Sequence, residues 1–301
     1  MKFHHSLSRL LAVAALAAAS FSVTAESLGP TLDRISERGV VFLGHREDSV
    51  PFSFITHGND EPDGFSIEIC RHVIKAIEEK VGKKLVTQPV VMSPNSRIMM
   101  VKAGMADMEC GVTTNTVGRS QQVAFSTTFF VSEVKGMVKT ELAGKTLKQL
   151  SDKRVVTTLG SSADRLVKLA SMARGISIRS MVGRTHAGSM EMLVKGDADV
   201  YVADDAILAG LRSAVANPED YVILDEGYSV EPYGILLPKN DPQFKKLVDE
   251  VVIGLMKSGA MEKIYNAWFT SPIPPLNRNL KYPISPLNKA AYAYPNDKSV
   301  N

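Results

Sequence analysis

The sequence has few cysteines, no excess of glycine or proline, and no strong excess of either charge. Its 301 residues include only 2 Cys, 21 Gly and 15 Pro, while 35 Lys and Arg face 32 Asp and Glu. Without an excess of glycine and proline the chain is not fibrous or collagen-like, and 45% apolar residues exclude a disordered chain. Because acidic and basic residues are interleaved, the basic face that nucleic-acid binding requires is absent. The length predicts two globular lobes of ordinary size.

The sequence also lacks the short motifs of common enzymes and cofactor-binding proteins. It contains no Gly-x-Ser-x-Gly turn, no His-Glu-x-x-His helix, no phosphate-binding glycine loop and no Cys-x-x-Cys pair. We therefore expect no cofactor, no metal site and no catalysis. An enzyme on this chain would need a general acid or base, for which the candidates are Glu47, Glu109 and His186.

The first 25 residues have the pattern of a secretory signal peptide. Lys2 and Arg9 lie in the first segment, residues 10–19 are almost wholly apolar, and small residues precede a predicted cleavage after Ala25. A membrane anchor is the alternative, but the apolar stretch is shorter than the ~20 residues that a membrane span needs. The pattern predicts export to a bacterial periplasm.

Export would place Cys70 and Cys110 in an oxidising compartment, where they could pair. Cys70 lies on a predicted helix and Cys110 at the end of a predicted strand of the same lobe. A helix that crosses back over the sheet could bring the two within disulfide reach. Two buried free thiols are the alternative.

Short apolar runs alternate with helical periodicity along the chain, an order typical of a largely parallel sheet with helices on its faces. In the first part we expect strands at 40–43, 85–92 and 107–110, and helices at 67–81 and 97–103. The same alternation of strands and helices then recurs in the second part of the chain. The expected strands are 154–158, 200–203 and 233–238, and the expected helices are 163–174, 189–195, one through 207–211, and 244–256. The tail from Ser271 is rich in Pro and Asn and is expected to pack as irregular chain over one lobe.

Ligands of open α/β sheets bind at the loops that follow the carboxyl ends of strands. Three arginines, Arg46, Arg97 and Arg119, occupy such loops. Their planar guanidinium groups match carboxylates with two hydrogen bonds, so they favour an acidic ligand over the alternative of solvated surface arginines. Asp204 follows another strand and is either the counter-charge for an ammonium group or an N-cap.

Two further positions are less specific. Ser162 lies in a segment typical of a capping box, whose helix start either binds an anion or is simply capped. His186 precedes a helix, and taken alone it is more typical of a structural histidine.

Several segments together resemble the bacterial periplasmic polar amino acid-binding proteins of ABC importers, solute-binding family 3. They are VFLGHREDSV at 41–50, ECGVTTNTVGR at 109–119, VADDAILAG at 202–210 and WFTSPIPP at 268–275. The resemblance implies a two-lobed periplasmic binding protein fold of the α/β class, with two crossover strands and a ligand cleft between the lobes. It divides the chain into a signal peptide (1–25), lobe 1 (26–132 and 234–301) and lobe 2 (133–233). It also implies a monomer that delivers its ligand to an inner-membrane ABC permease.

The resemblance assigns roles to residues of the cleft. Arg119, with Thr114 and Ser162, would hold the α-carboxylate of an amino acid, and Asp204 its α-ammonium group. Arg46, Arg97 and His186 match the positions at which the acidic-ligand subgroup holds the side-chain carboxylate, which implies L-glutamate or L-aspartate.

Two positions depart from the pattern of that subgroup. Val112 replaces a usual serine and could offer only its backbone carbonyl. Pro94 replaces a residue with a hydroxyl, and the expected substitute is the hydroxyl of neighbouring Ser93.

Charge counting agrees with an acidic ligand, because three arginines against Asp204 leave an excess of positive charge for a ligand of net charge −1. The alternatives are a periplasmic dehydratase-like enzyme on the same fold and a partner that reports ligand occupancy to a receptor.

Overall fold

The computed structural model describes residues 27–56, 60–146, 149, 151–174, 177–274 and 277–301. The predicted signal peptide lies outside these residues. The described chain forms two five-stranded sheets with helices packed against them. In the described part of the chain, no helix combines the length and the apolar character of a membrane span.

The elements alternate along the chain as the sequence pattern predicts. The helices are α1 Pro30–Arg38, α2 Phe65–Val81, α3 Arg97–Lys102, α4 Val117–Ser120, α5 Ser162–Arg174, α6 His186–Lys195, α7 Asp205–Ala214, α8 Pro242–Lys257, α9 Ala260–Phe269 and α10 Pro286–Ala293. The strands are β1 Val40–His45, β2 Asp48–Ser49, β3 Ser53–Phe54, β4 Val86–Val91, β5 Met108–Glu109, β6 Ala124–Phe125, β7 Phe130–Lys139, β8 Arg154–Thr158, β9 Arg179–Gly183, β10 Val200–Asp204, β11 Tyr221–Tyr233, β12 Leu236–Leu237, β13 Pro272–Ile273 and β14 Arg278–Asn279.

The first sheet has the order β4-β1-β5-β12-β6, in which β1 pairs in parallel with β4 and β5. Helix α2 buries one face against this sheet, with apolar residues recurring every three or four positions from Phe65 to Ile77. It ends at Gly82, whose φ of 72° is the left-handed conformation that glycine adopts most easily. The helix and its end are as the sequence predicts.

The second sheet has the order β11-β7-β10-β8-β9, with β8 parallel to β9 and β10. Its long antiparallel strands β7 and β11 pair from Phe130 opposite Tyr233 onward. Residues before β7 and after β11 belong to the first sheet, so the chain passes between the sheets twice at this end of the pair.

The expected strand over 233–238 is wrong. Tyr233 is the last residue of β11, and the chain then turns to form the separate strand β12, which pairs with β5 and β6. At the turn, a Cβ on Gly234 would lie only 2.9 Å from the carbonyl oxygen of Ser126. Strand alternation alone does not reveal this change of sheet, because both segments are apolar and buried.

Aromatic rings hold the start of β7 and the end of β11 to the first sheet and its helices. The rings of Phe130 and Tyr233 stack with centroids 5.7 Å apart, and Phe52 meets both edge-on at 4.8 and 5.5 Å. Phe269 of α9 stacks on Phe130 at 5.2 Å. Because each such pair contributes about 0.5–1.5 kcal/mol beyond burial, this end of the two strands is firmly anchored.

The tail is more regular than expected, because it contains the β13–β14 pair and helix α10. Ser285 caps α10 by accepting a hydrogen bond from the Asn288 amide, and Pro286 occupies the first helical turn. The Asn288 side chain bonds both the amide and the carbonyl of Val131, at 2.8 and 2.9 Å. The tail therefore supports the base of β7.

The structure joins Cys70 of α2 to Cys110, which follows β5, in a disulfide with Cα atoms 6.3 Å apart and 40 positions apart in sequence. Both residues are fully buried. The bond ties the main helix of the first sheet to the strand whose following loop carries Thr114.

We expect reduction of this disulfide to lower the free energy of unfolding by about 2–4 kcal/mol, since the bond restricts the unfolded chain over a long loop. The measurement is urea unfolding of the oxidised protein with and without reductant. A Cys70→Ala, Cys110→Ala double variant is the control and should not respond to reductant. An equal stability of oxidised and reduced protein would contradict a structural role for the bond.

Candidate functional site

Loops from the two sheets meet directly at one cleft. A guanidinium nitrogen of Arg119 donates to the Thr114 carbonyl at 3.0 Å, and the other donates to the Gly160 carbonyl, in the second sheet's loop, at 3.1 Å. The Thr114 and Ser162 hydroxyls lie 3.5 Å apart. Gly160 has φ 78°, and a Cβ there would lie 2.7 Å from Cα of Asn95. The structure is therefore that of a closed cleft.

Arg119 lies at the cleft on the short helix α4, where the Thr116 side chain accepts a hydrogen bond from the Arg119 amide. Burial lowers the pKa of its guanidinium, while the carboxylates of Glu231, Asp204 and Glu109 oppose that effect. A cavity of about 590 Å³ opens beside it and is also lined by Gly160 and Ser162.

Arg97 begins helix α3, and only 3% of its surface is exposed. Its pKa lies well below the usual value because of burial and the positive charges of Arg119 and Arg46. In the described part of the chain the guanidinium has no ion pair, and its Nε has no hydrogen-bond partner. A buried arginine in this state needs an anion to compensate its charge.

Arg46 is 2% exposed, and its nearest carboxylate is Asp48, at 3.7 Å between Nη2 and Oδ1. Its Nε and Nη1 are buried without hydrogen-bond partners. Burial lowers the pKa of this guanidinium too, with Asp48 and Glu109 opposing. Two buried arginines thus present free N–H groups in the same cleft.

His186, the first residue of α6, is buried on the other side of the cleft. Its Nδ1 lies 2.9 Å from the Tyr201 hydroxyl and 3.2 Å from that of Thr158. Burial, with the charges of Arg46 and Arg97, lowers its pKa to about 4, although Asp48 opposes the shift. The ring is therefore neutral at pH 7 and offers hydrogen bonds rather than charge.

Asp204 ends β10, and its carboxylate accepts a hydrogen bond from the Tyr233 hydroxyl. It stands at the N-cap position of α7, but its side chain makes no capping hydrogen bond, so capping does not explain this residue. Burial and the nearby Glu231 carboxylate raise its pKa to about 8. An ammonium group beside it would stabilise the ionised form and release the proton.

The start of α5 is capped by Ser161, whose hydroxyl accepts from the Asp164 amide at 3.1 Å. The Ser162 hydroxyl is therefore not needed for capping and instead faces Thr114 of the other sheet. The helix start and these hydroxyls lie beside Arg119, in an arrangement that suits an anion.

The side chains of Ser93 and Val112 are used mainly in contacts outside the cleft. The Ser93 hydroxyl lies 3.0 Å from that of Ser96 and closes a local turn, while Ser93 also lines a 210 Å³ cavity with Arg46 and Asp48. Val112 packs its side chain into the apolar core. Only the backbone of Val112 can serve the cleft.

Sequence reasoning missed Asp48, which bridges the two groups of loops. Its Oδ2 accepts from the Ala187 amide at the start of α6 at 2.9 Å, and its other oxygen faces Arg46. A carboxylate at a helix start is favourable because of the helix dipole. Its place two residues after Arg46 in a predicted loop was a usable signal.

The charge count made from sequence was incomplete, because Glu109 and Glu231 are buried at 0% and 3% exposure near the arginines. Glu109 was considered only as an acid or base, and Glu231 was not considered at all. The residues around Glu109 and Glu231 in the sequence give no sign that these carboxylates are buried and not solvated. No group of His, Cys, Asp and Glu among the described residues could hold a metal ion.

Comparison with known proteins identifies the architecture. Residues 41–271 match the family described as bacterial extracellular solute-binding proteins, family 3. The chain is 36% identical over 278 residues to the glutamate/aspartate import solute-binding protein of Escherichia coli (strain K12), which covers 92% of each chain. It is 35% identical over 300 residues to the L-glutamate/L-aspartate-binding protein of Pseudomonas aeruginosa, covering 99% of each.

Solved structures of binding proteins share the fold. The solute receptor for L-cysteine of Neisseria gonorrhoeae matches with a TM-score of 0.70 at 19% identity, covering 79% of this chain and 93% of that one. An ancestral amino acid-binding protein, described as a precursor of cyclohexadienyl dehydratase, matches with a TM-score of 0.69 at 25% identity, covering 79% and 99%. These matches confirm the expected two-lobed α/β fold. The relatives are binding proteins rather than enzymes.

Proposed function

Because the chain belongs to the bacterial extracellular solute-binding proteins, family 3, we propose that it binds L-glutamate or L-aspartate and delivers it to an ABC permease of the inner membrane. The proposal places the mature protein in the periplasm as a monomer, after removal of residues 1–25. The names of its relatives, which import or bind glutamate and aspartate, support this ligand class.

The observation that carries the proposal is the buried guanidinium of Arg97, which has no ion pair among the described residues and is repelled by the charges of Arg119 and Arg46. A neutral ligand would leave this charge uncompensated in a closed cleft. An uncompensated buried charge costs on the order of 3–5 kcal/mol, which is about a hundredfold or more in affinity. A second carboxylate on the ligand removes that cost.

The α-groups of the amino acid would be held at one end of the cleft. Arg119, with the Thr114 and Ser162 hydroxyls and the start of α5, suits the α-carboxylate, since Arg119 contacts Thr114 and the two hydroxyls lie 3.5 Å apart. Asp204 suits the α-ammonium group. In the closed cleft, burial raises its pKa to about 8, and an ammonium group beside it would favour the ionised form.

The side-chain carboxylate would be held at the other end. Arg46 and Arg97 present free N–H donors there, and neutral His186 adds a hydrogen bond. Ser93 lines a cavity together with Arg46 at this end and could add its hydroxyl. The backbone carbonyl of Val112 is an acceptor, so in the proposed set it would serve the α-ammonium group instead.

The two lobes would close on the ligand by bending where the chain passes between the sheets. The proposed lobes are 26–132 with 234–301, and 133–233, with hinges near Val131 and Gly234. The antiparallel pairing of Phe130 with Tyr233 and their anchoring to the aromatic cluster support a hinge at this end.

We expect Arg97→Gln to weaken binding of L-glutamate and L-aspartate by about a hundredfold or more, because the ligand carboxylate loses its buried partner. L-Glutamine and L-asparagine should lose far less affinity or gain some, because their amides do not need the charge. Arg119→Gln should weaken all four ligands. Isothermal calorimetry measures the four affinities.

Arg165→Gln is the matched control, since Arg165 is an exposed arginine on α5 near the same cleft. It should change all affinities by less than about threefold, as exposed charges are screened. If Arg97→Gln weakened acidic and amide ligands equally, Arg97 would not recognise the side chain, and the proposed acidic ligand would lose its main support.

We expect Gly160→Ala to prevent closure, because the new Cβ would lie 2.7 Å from Cα of Asn95, which is backbone of the facing loop. The affinity for L-glutamate should fall at least about tenfold, equivalent to ~1.4 kcal/mol. Small-angle scattering should then show no decrease in radius of gyration on ligand addition.

Gly196→Ala is the control for backbone strain. Gly196 has φ 79°, close to the 78° of Gly160, but its Cβ would meet only Lys139 Nζ at 3.9 Å. In both variants the alanine must adopt the left-handed backbone conformation, which costs about 1 kcal/mol. Only Gly160→Ala should in addition affect closure. Equal affinities of the two variants would show that contact at Gly160 plays no part in closure.

A further inference from the structure

Glu109 is a carboxylate at the centre of the cleft that the proposed ligand contacts do not use. It is the last residue of β5, paired with Gly44 of β1 on one side and Leu236 of β12 on the other. Its exposed fraction is 0%. A carboxylate in this place cannot be a solvated surface residue, so its burial requires an explanation.

The two oxygens of Glu109 differ in their contacts. Oε2 accepts a hydrogen bond from the Thr113 hydroxyl at 2.9 Å. Oε1 is buried and has no hydrogen-bond partner. A Cβ on Gly111 would lie 2.0 Å from this oxygen and 3.0 Å from Cγ of Arg46. Because Gly111 has no side chain, there is room beside it for both Oε1 of Glu109 and the side chain of Arg46.

Glu109 acts on all three arginines of the cleft. Its negative charge raises the pKa of Arg46, Arg97 and Arg119, in each case against the effect of burial. Asp204 raises the pKa of Arg97 and Arg119, Asp48 that of Arg46 and Glu231 that of Arg119. Of these carboxylates, Glu109 is the one that acts on all three arginines. No ion pair among the described residues joins Glu109 to an arginine. It therefore reduces the positive charge of the cluster without occupying the arginine N–H groups.

We propose that Glu109 is a specificity-determining residue, which sets the charge of the cleft so that a ligand of net charge −1 is preferred to a dianion. This inference rests on the proposed function, because it concerns the same arginines. Thr113 fixes the carboxylate, and Gly111 admits it beside Arg46. Without this charge, the three arginines would favour ligands with more negative charge, including diacids that lack the ammonium group.

The test is a Glu109→Gln variant measured by calorimetry against three ligands of graded charge. L-Glutamine has net charge 0, L-glutamate −1, and glutarate, which is glutamate without its amino group, −2. The amide keeps the side-chain length and an oxygen for Thr113. We expect the ratio of variant to wild-type affinity to rise from glutamine to glutamate to glutarate, by at least about threefold for each unit of charge.

Two further variants distinguish charge from structure. Glu109→Asp keeps the carboxylate and should keep the wild-type ranking of the three ligands. Glu47→Gln removes an exposed charge next to Arg46, and its ratios should stay within about twofold of each other because solvent screens that position.

A Glu109→Gln protein that changes all three affinities by one factor, or that no longer folds by circular dichroism, would overturn the inference and assign Glu109 to the fold. Wild-type protein that binds neither L-glutamate nor L-aspartate would instead overturn the proposed function. The two failures are therefore distinguishable.

Discussion

The structure depends on the confinement of like charges in one cleft. Arg46 and Arg97 are almost fully buried, and both lower the pKa of His186. Each has buried N–H groups without a hydrogen-bond partner among the described residues. Burial of a charge is expensive unless an opposite charge accompanies it. A closed cleft with these residues is therefore incomplete without an anion, and in the proposed mechanism closure and anion binding are parts of one equilibrium.

The rest of the fold keeps these arginines buried. The disulfide ties α2 to the end of β5, and Asn288 of the tail holds the base of β7. The aromatic cluster around Phe130 fixes the point at which the chain leaves the first sheet. In the proposed mechanism the lobes move as rigid bodies about this connection, so that a small ligand can select the closed state with little other rearrangement.

Much of the fold follows from sequence, because periodicity and helix ends are local signals. Helix α2 and its end at Gly82 are of this kind. The end of β11 at Tyr233 is not, since a change of sheet within apolar chain depends on tertiary contacts. Helix α10 was missed because its Pro-rich surroundings resemble loop, although Ser285 and Pro286 form a recognisable start.

In the cleft, too, some residues can be recognised from local sequence signals and others depend on tertiary contacts. The arginines after the strands are visible in the sequence because their residue type and position indicate anion binding together. Asp48 could have been found from its place two residues after Arg46, but Glu109 is not distinguished by sequence, because its effect depends on burial and on contacts across the fold. The capping alternatives for Asp204 and Ser162 could be tested only once the hydrogen bonds of the two helix starts were known.

The most direct test of this account is isothermal calorimetry of the purified, ligand-free wild-type protein against the common amino acids and small dicarboxylic acids. The account predicts that L-glutamate or L-aspartate binds tightest, about a hundredfold or more above L-glutamine and L-asparagine, because only an acidic side chain compensates the buried arginines. Tighter binding of a neutral or basic amino acid would contradict it.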